Sequence, residues 1–150
     1  MNNFLELKNI QKNFITEKKI KVLRGLSKKF KKGKIYAIMG PSGSGKSTLL
    51  NLISLIDKPT AGSIKFDTLE INFSENEKND QFRAKKIGII YQQNNLLSDF
   101  TALENVYLAS LSVNISKKKA ISKAEKLLKK IGLSNRLNHF PSQLSGGEAQ

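Results

Sequence analysis

Apolar and polar residues alternate over positions 4–11, where Leu5 and Leu7 flank Glu6 and precede Lys8, the period of a half-buried strand. A second extended segment is predicted over 22–30, ending at the Lys31-Lys32-Gly33 turn. Positions 35–39 (Ile-Tyr-Ala-Ile-Met) form a short unbroken apolar run, the pattern of a strand covered on both faces, and 87–91 (Ile-Gly-Ile-Ile-Tyr) form another. Between them, 47–56 carries Leu49, Leu50, Leu52, Ile53 and Ile56 at helical spacing and stops at Asp57-Lys58-Pro59. Segments 62–66 and 69–73 flank Asp67-Thr68 as a hairpin would. A loop is expected over 74–80 and a helical turn over 81–86.

From Thr101 the pattern becomes helical. Thr101-Ala102-Leu103-Glu104 is a capping box, in which hydroxyl and carboxylate satisfy each other's free backbone N–H groups. A further helix over 116–131 places Ile121, Ala124, Leu127, Leu128 and Ile131 on one face, and Gly132 supplies its stop. There is no internal repeat and no low-complexity linker. Two parts are expected: a mixed strand-helix core over 1–96 and a helical part over 97–150.

Composition adds limits rather than chemistry. At 150 residues the chain is long enough to bury a sizeable core, and no apolar run approaches the roughly 18 residues of a membrane span. The first residues show no basic stretch followed by an apolar core, so no secretory signal is read there. Cysteine is absent, which excludes disulfides, thiolate metal sites and a cysteine nucleophile, and fits a cytoplasmic protein. The formal charge of +14 suggests a nucleic-acid or lipid partner until its make-up is seen. Arginine occurs only at 24, 83 and 136, and the rest of the positive charge is lysine dispersed among Asn and Ile. A phosphate- or base-reading surface leans on the bidentate guanidinium, so a solvated lysine surface is the simpler reading and no nucleic acid is expected.

The chemistry lies in Gly40-Pro41-Ser42-Gly43-Ser44-Gly45-Lys46-Ser47-Thr48, between an apolar run and a predicted helix. Glycines at 40, 43 and 45 let the backbone curl so that successive N–H groups converge as an anion nest, and the helix start adds its positive end. In that setting Lys46 reaches the β- and γ-phosphates of a nucleoside triphosphate, and the Ser47 hydroxyl ligates the Mg²⁺ that bridges them. ATP is the expected nucleotide.

Three segments together narrow the class: Ser44-Gly45-Lys46-Ser47-Thr48-Leu49-Leu50, then Tyr91-Gln92, then Leu144-Ser145-Gly146-Gly147-Glu148. In this order and spacing they resemble the ABC ATPases. The resemblance covers essentially the whole chain. It implies an α/β P-loop NTPase (RecA-like) core, with an N-terminal antiparallel β subdomain and an inserted helical subdomain. Phe14 would stack on adenine and Val22 pack the ring's edge, although core packing explains Phe14 equally well. Gln92 would touch Mg²⁺. Ser145, Gly146, Gly147 and Glu148 correspond to the signature sequence, which closes over the ATP of a second subunit, so a homodimer and separate integral membrane permease subunits are implied. The segments 96–106 and 138–148 are similar to the lipoprotein-releasing (LolD-type) ATPases, with MacB-type and FtsE-type ATPases sharing much of the pattern. A lipoprotein-releasing subunit, peripheral on the inner face of the inner membrane, is therefore expected. An SMC-type DNA-maintenance ATPase also pairs a P-loop with a Ser-Gly-Gly signature, but no heptad region separates the two here.

The family's apolar-run-plus-Asp motif (Walker B), catalytic Glu, D-loop and switch His all follow the signature, and none occurs in these residues. No catalytic residue is assigned within them. The expectation is an N-terminal piece of a longer product that binds ATP and does not hydrolyse it alone. Thr68 and Ala149 depart from the family pattern without bearing on the site, and the lone His139, which is not the family's switch histidine, is read as an ordinary loop residue.

Overall fold

The computed structural model describes residues 3–150 and divides into two compact units, one up to Ile87 and one from Gly88. In the first, β1 (Asn3–Ile15) and β2 (Lys19–Lys31) form a long antiparallel ribbon. The other edge of β1 pairs with β3 (Ala61–Phe66), and the short β4 (Leu69–Glu70) returns along β3. The sheet order is β2-β1-β3-β4. The predicted hairpin is present, and Asp67 makes its turn with a φ of 49°, a conformation Asp tolerates better than most residues.

The alternation in β1 changes parity partway. Leu5 and Leu7 are buried, but the next buried positions are Ile10 and Lys12. The register with β2 shifts at the same place, and Asn9 takes a φ of 50°. A bulge here adds one residue, so the following side chains exchange faces. Against this sheet lies α1 (Lys46–Ile53), whose Leu49 and Leu52 join Leu5, Leu7, Ile10, Leu23, Ile64 and Phe66 in one core. Leu52 is fully buried, so Leu52→Ala would cost about 2–5 kcal/mol.

The expected loop and turn over 74–86 are one helix, α2 (Asn76–Lys86). It buries no residue completely, but Glu77 in its first turn and Arg83, Lys85 and Lys86 in its last complement the helix dipole. Phe82 packs its ring 5.1 Å from that of Phe66, and Arg83 Nη1 donates to the Leu55 carbonyl at 2.9 Å, tying α2 to the residues just past α1.

The runs 35–39 and 87–91, read as buried strands, are not strands among the described residues. Ile35 is fully exposed and Ile90 is 89% exposed. A strand covered on both faces needs a ladder partner beside it, and the four strands of the sheet pair only with one another. Apolar composition cannot supply the missing backbone partners. Within its own turn, Tyr36 does find a contact: its hydroxyl accepts from the Lys31 N–H at 2.9 Å, and its ring meets Phe30 edge-on.

In the second unit α3 (Ala102–Leu111) packs on α4 (Lys117–Lys130) through Tyr107, Ala120 and Ala124. The capping box forms as read. Thr101 Oγ1 accepts from the Glu104 N–H at 3.3 Å, and Glu104 Oε2 accepts from the Thr101 N–H at 2.9 Å. Those hydrogen bonds from Thr101 hold the Glu104 carboxyl below its ordinary pKa. Asn105 holds the loop before α3, accepting from the Leu97 N–H and donating to the carbonyls of Leu97, Phe100 and Thr101. At the end of α4, Leu133 N–H donates to the Leu128 carbonyl and Gly132 N–H to that of Lys129, with Gly132 at a φ of 81°. This is the glycine stop that the sequence predicts. The inner face differs from expectation: Ala120, Ala124 and Leu128 are buried, whereas Leu127 and Ile131 are largely exposed. The small alanines let the two helices approach closely, which puts the inward stripe on their side of α4.

Candidate functional site

Residues 40–48 lie in the first unit, as a turn running into the start of α1. Gly43 and Gly45 take φ values of 78° and 89°, in the left-handed region where a Cβ is penalised. At Gly45 a Cβ would also lie 3.0 Å from Val22 and 3.1 Å from Leu23. Val22 is thereby fixed against the loop, at its flank.

Gly45 is the N-cap of α1, and no side chain caps the helix or brings an acid to its first turn. Among the described residues the N–H groups of Gly43, Gly45, Lys46, Ser47 and Thr48 donate to no protein acceptor, whereas Ser44 N–H donates to the Pro41 carbonyl. Five open donors at one end of a helix dipole are suited to receiving an anion. The Lys46 ammonium folds back over the loop, donating to the carbonyls of Gly40 at 2.8 Å and Pro41 at 2.7 Å, with Ser44 Oγ at 3.4 Å. The exposed Ser47 hydroxyl has no protein partner among the described residues.

Phe14 lies near the end of β1, half exposed, with the Lys12 ammonium 5.0 Å from its ring centroid. Phe14, Val22 and residues 40–48 thus belong to the same unit, while Gln92 and residues 145–148 belong to the other. Gln92 sits on an exposed bend. Ser145 caps the short helix α5 (Gly146–Ala149) in a second capping box. Glu148 N–H donates to Ser145 Oγ at 3.3 Å, and Ser145 N–H donates to Glu148 Oε2 at 2.8 Å. At the start of α5 the Ser145 N–H is therefore committed within the helix cap, and those of Gly146 and Gly147 are open among the described residues.

Arg136 was not singled out from the sequence. Its Nε donates to Glu148 Oε1 at 2.8 Å, so both carboxylate oxygens are engaged. The Ser145 backbone bond and then the Arg136 bond hold the Glu148 carboxyl at a pKa of about 2. A guanidinium only donates, so its Nη1 contact with His139 Nε2 at 3.3 Å assigns the ring proton to Nδ1. His139 is a loop residue supporting this cluster, and its carbonyl accepts the Ala102 N–H. The sequence does hold a signal for Arg136, since a guanidinium in an arginine-poor chain is disproportionately used for a fixed carboxylate.

Two surface grooves, about 460 Å³ between β4 and α2 and about 500 Å³ on α4, are lined by none of these residues. The anion site is a curl of exposed backbone rather than a cavity. Among the described residues no cluster of His, Cys, Asp and Glu could hold a metal ion by itself.

Comparison with known proteins agrees with this geometry. A lipoprotein-releasing system ATP-binding protein LolD from Wigglesworthia glossinidia brevipalpis is 46% identical over 153 aligned positions, covering 100% of this chain and 67% of that protein. The LolD protein of Saccharophagus degradans is 46% identical over 132 residues, covering 88% of this chain and 58% of its own. The macrolide export ATP-binding/permease protein MacB of Mannheimia succiniciproducens is 42% identical, covering 99% of this chain and 23% of its own. The chain thus spans 58–67% of the length of these two LolD relatives. A bacterial ABC transporter cassette solved as a dimer superposes with a TM-score of 0.85 at 39% identity, covering 97% of this chain and 65% of its own. The same cassette has been solved in a post-hydrolysis state bound to ADP and Pi. With the ABC transporter family model matching residues 23–150, and so including both the glycine loop and residues 145–148, the chain belongs to the ABC transporter family as its ATP-binding cassette.

Proposed function

We propose that the glycine loop holds the triphosphate of Mg-ATP in an ABC ATPase that drives separate membrane subunits. The observation that carries this reading is the set of open N–H groups of Gly43 and of Gly45 to Thr48 at the uncapped start of α1. A phosphate oxygen is a charged acceptor, so the Lys46 ammonium is expected to leave the Gly40 and Pro41 carbonyls for the β- and γ-phosphates, exchanging neutral hydrogen bonds for charge-assisted ones. Gly40, Pro41, Ser42, Ser44 and Thr48 shape and flank the cradle. The exposed Ser47 hydroxyl fits a hard oxygen-seeking cation, and phosphate oxygens, water and the Gln92 side chain would be further ligands. Held there, the cation would supply charge neutralisation to the triphosphate.

Phe14 and Val22 would receive the base. The open N–H groups of Gly146 and Gly147 would meet the ATP of a second copy, with Ser145 and Glu148 fixing their direction. The dimeric state of the solved cassette supports that arrangement. No residue of the described chain is proposed as the general base.

The LolD relatives favour lipoprotein release as the work performed, and a subunit that drives membrane partners would sit peripherally on the inner face of the inner membrane. MacB favours a second reading, an export pump. Loss of the gene separates them: lipoproteins retained in the inner membrane support the first, and raised macrolide susceptibility with normal lipoprotein sorting supports the second. The nucleotide site itself is tested by titrating the intact protein with Mg-ATP. Lys46→Ala should weaken binding roughly 100-fold; unchanged affinity would overturn the assignment.

A further inference from the structure

Lys12 is the one buried charged residue among those described. After the bulge at Asn9 it occupies an inward position of β1, where the alternation calls for an apolar side chain. Its ammonium donates to Asp57 Oδ1 at 2.7 Å and to the Lys58 carbonyl at 2.9 Å. Beside this pair, Asn13 N–H donates to Thr60 Oγ1 at 2.9 Å and Thr60 N–H to the Gln11 carbonyl at 2.8 Å. The segment that follows α1 is therefore seamed along the end of β1, and a single cation sits at the centre of the seam.

The same ammonium stands 5.0 Å from the centroid of the Phe14 ring. Lys12 and Phe14 are two residues apart and share a strand face. A half-exposed phenylalanine near a strand end would otherwise turn freely about its side-chain bonds. An anchored cation over the ring attracts its quadrupole and favours one orientation of this half-exposed side chain.

We infer that Lys12 is a positioning residue for nucleotide recognition: clamped by Asp57 and the Lys58 carbonyl, it sets the Phe14 ring to receive a purine. The inference rests on the proposal that Phe14 takes the base. It assigns to the Lys12–Asp57 pair a share in base affinity that is separate from phosphate binding by the glycine loop. A plain structural clamp makes a different forecast, because loosening the residues after α1 would disturb the loop at its start and weaken every phosphate ligand alike.

The test is titration of the intact protein with Mg-ATP and, separately, Mg-tripolyphosphate, which has the phosphates and no base. Phe14→Ala should weaken Mg-ATP about tenfold, the scale of one base–aromatic stack, and leave tripolyphosphate unchanged. Lys12→Met should weaken Mg-ATP about fivefold with less than a twofold change for tripolyphosphate. Its effect should vanish in the Phe14→Ala background, because the two act through one ring. Should Lys12→Met fail to fold, Asp57→Asn, which unfastens the cation while keeping a hydrogen-bonding side chain, should produce the same selective loss in smaller measure. Equal weakening of both ligands, full additivity with Phe14→Ala, or no change in either ligand overturns the role of Lys12. If Phe14→Ala leaves Mg-ATP affinity intact while Lys46→Ala removes it, the base role of Phe14 and with it that of Lys12 falls, and the phosphate site stands.

Discussion

Two helices in this chain begin at glycine-rich sequence, and they treat their first backbone N–H groups in opposite ways. At α1 the cap is Gly45 in a left-handed conformation, the first turn has no acid, and five consecutive or near-consecutive donors are left open. At α5 the cap is Ser145, the third residue of the helix is Glu148, and that carboxylate is bonded to the Ser145 N–H and fixed by Arg136. A helix start stabilised by its own carboxylate has little attraction left for a foreign anion, whereas an uncapped one keeps its dipole and donors available. The first leaves five donors open, in keeping with the triphosphate proposed for it. The second leaves only the Gly146 and Gly147 N–H groups, in keeping with the proposal that it completes the site of a second copy.

The change expected to damage this contrast most is Gly45→Ala. It imposes left-handed strain of about 1–2 kcal/mol and a Cβ against Val22 and Leu23. Mg-ATP binding should be lost and the melting temperature of the intact protein should fall; retention of both would show that the left-handed cap is dispensable. Ser145→Ala comes next, removing a helix cap worth about 1 kcal/mol. Mg-ATP affinity at the glycine loop should stay within twofold of the parent when measured on dilute monomer, so a large drop there would mean that the two helix starts are not separable.

The smallest effect is electrostatic. Glu148 titrates at about 2 in the folded chain against an ordinary 4.5, so its folded value is depressed. The contribution of its charged form is present above the ordinary value and is lost as pH falls from there through about 2. The Ser145 amide resonance, followed by NMR, should shift with a midpoint near that lower value. Arg136→Gln should move the midpoint part of the way up, since the backbone bond from Ser145 remains the larger cause. A midpoint already at the ordinary carboxylate value in the parent would mean that α5 is not closed by its own acid.

Much of this was legible because the rules involved are local. The capping box at Thr101 requires residues only three positions apart, the glycine stop after α4 needs one residue of suitable φ, and the turn at Asp67 needs two. The glycine loop reads out the same way, since its conformation is demanded by its own glycines. Other features depend on partners distant in sequence. The bulge at Asn9 switches the inward face of β1, and only the pairing with β2 and β3 shows that Lys12 rather than an apolar neighbour fills the slot. The bond from Arg136 to Glu148 and the grip of Asn105 on its preceding loop likewise join residues that no short pattern pairs.

The apolar runs 35–39 and 87–91 mark the boundary between the two kinds of information. Composition specifies that these segments gain from being buried. It does not specify a strand, because a strand exists through hydrogen bonds to a neighbour, and no described strand lies beside either run. The sequence alone thus determined the family, the glycine loop, the cap of α3 and the stop of α4, all set by chemistry within a few residues. The arrangement of the sheet, the inward face of each element and the anchored lysine beside Phe14 were decided in three dimensions, where one segment's environment is supplied by another.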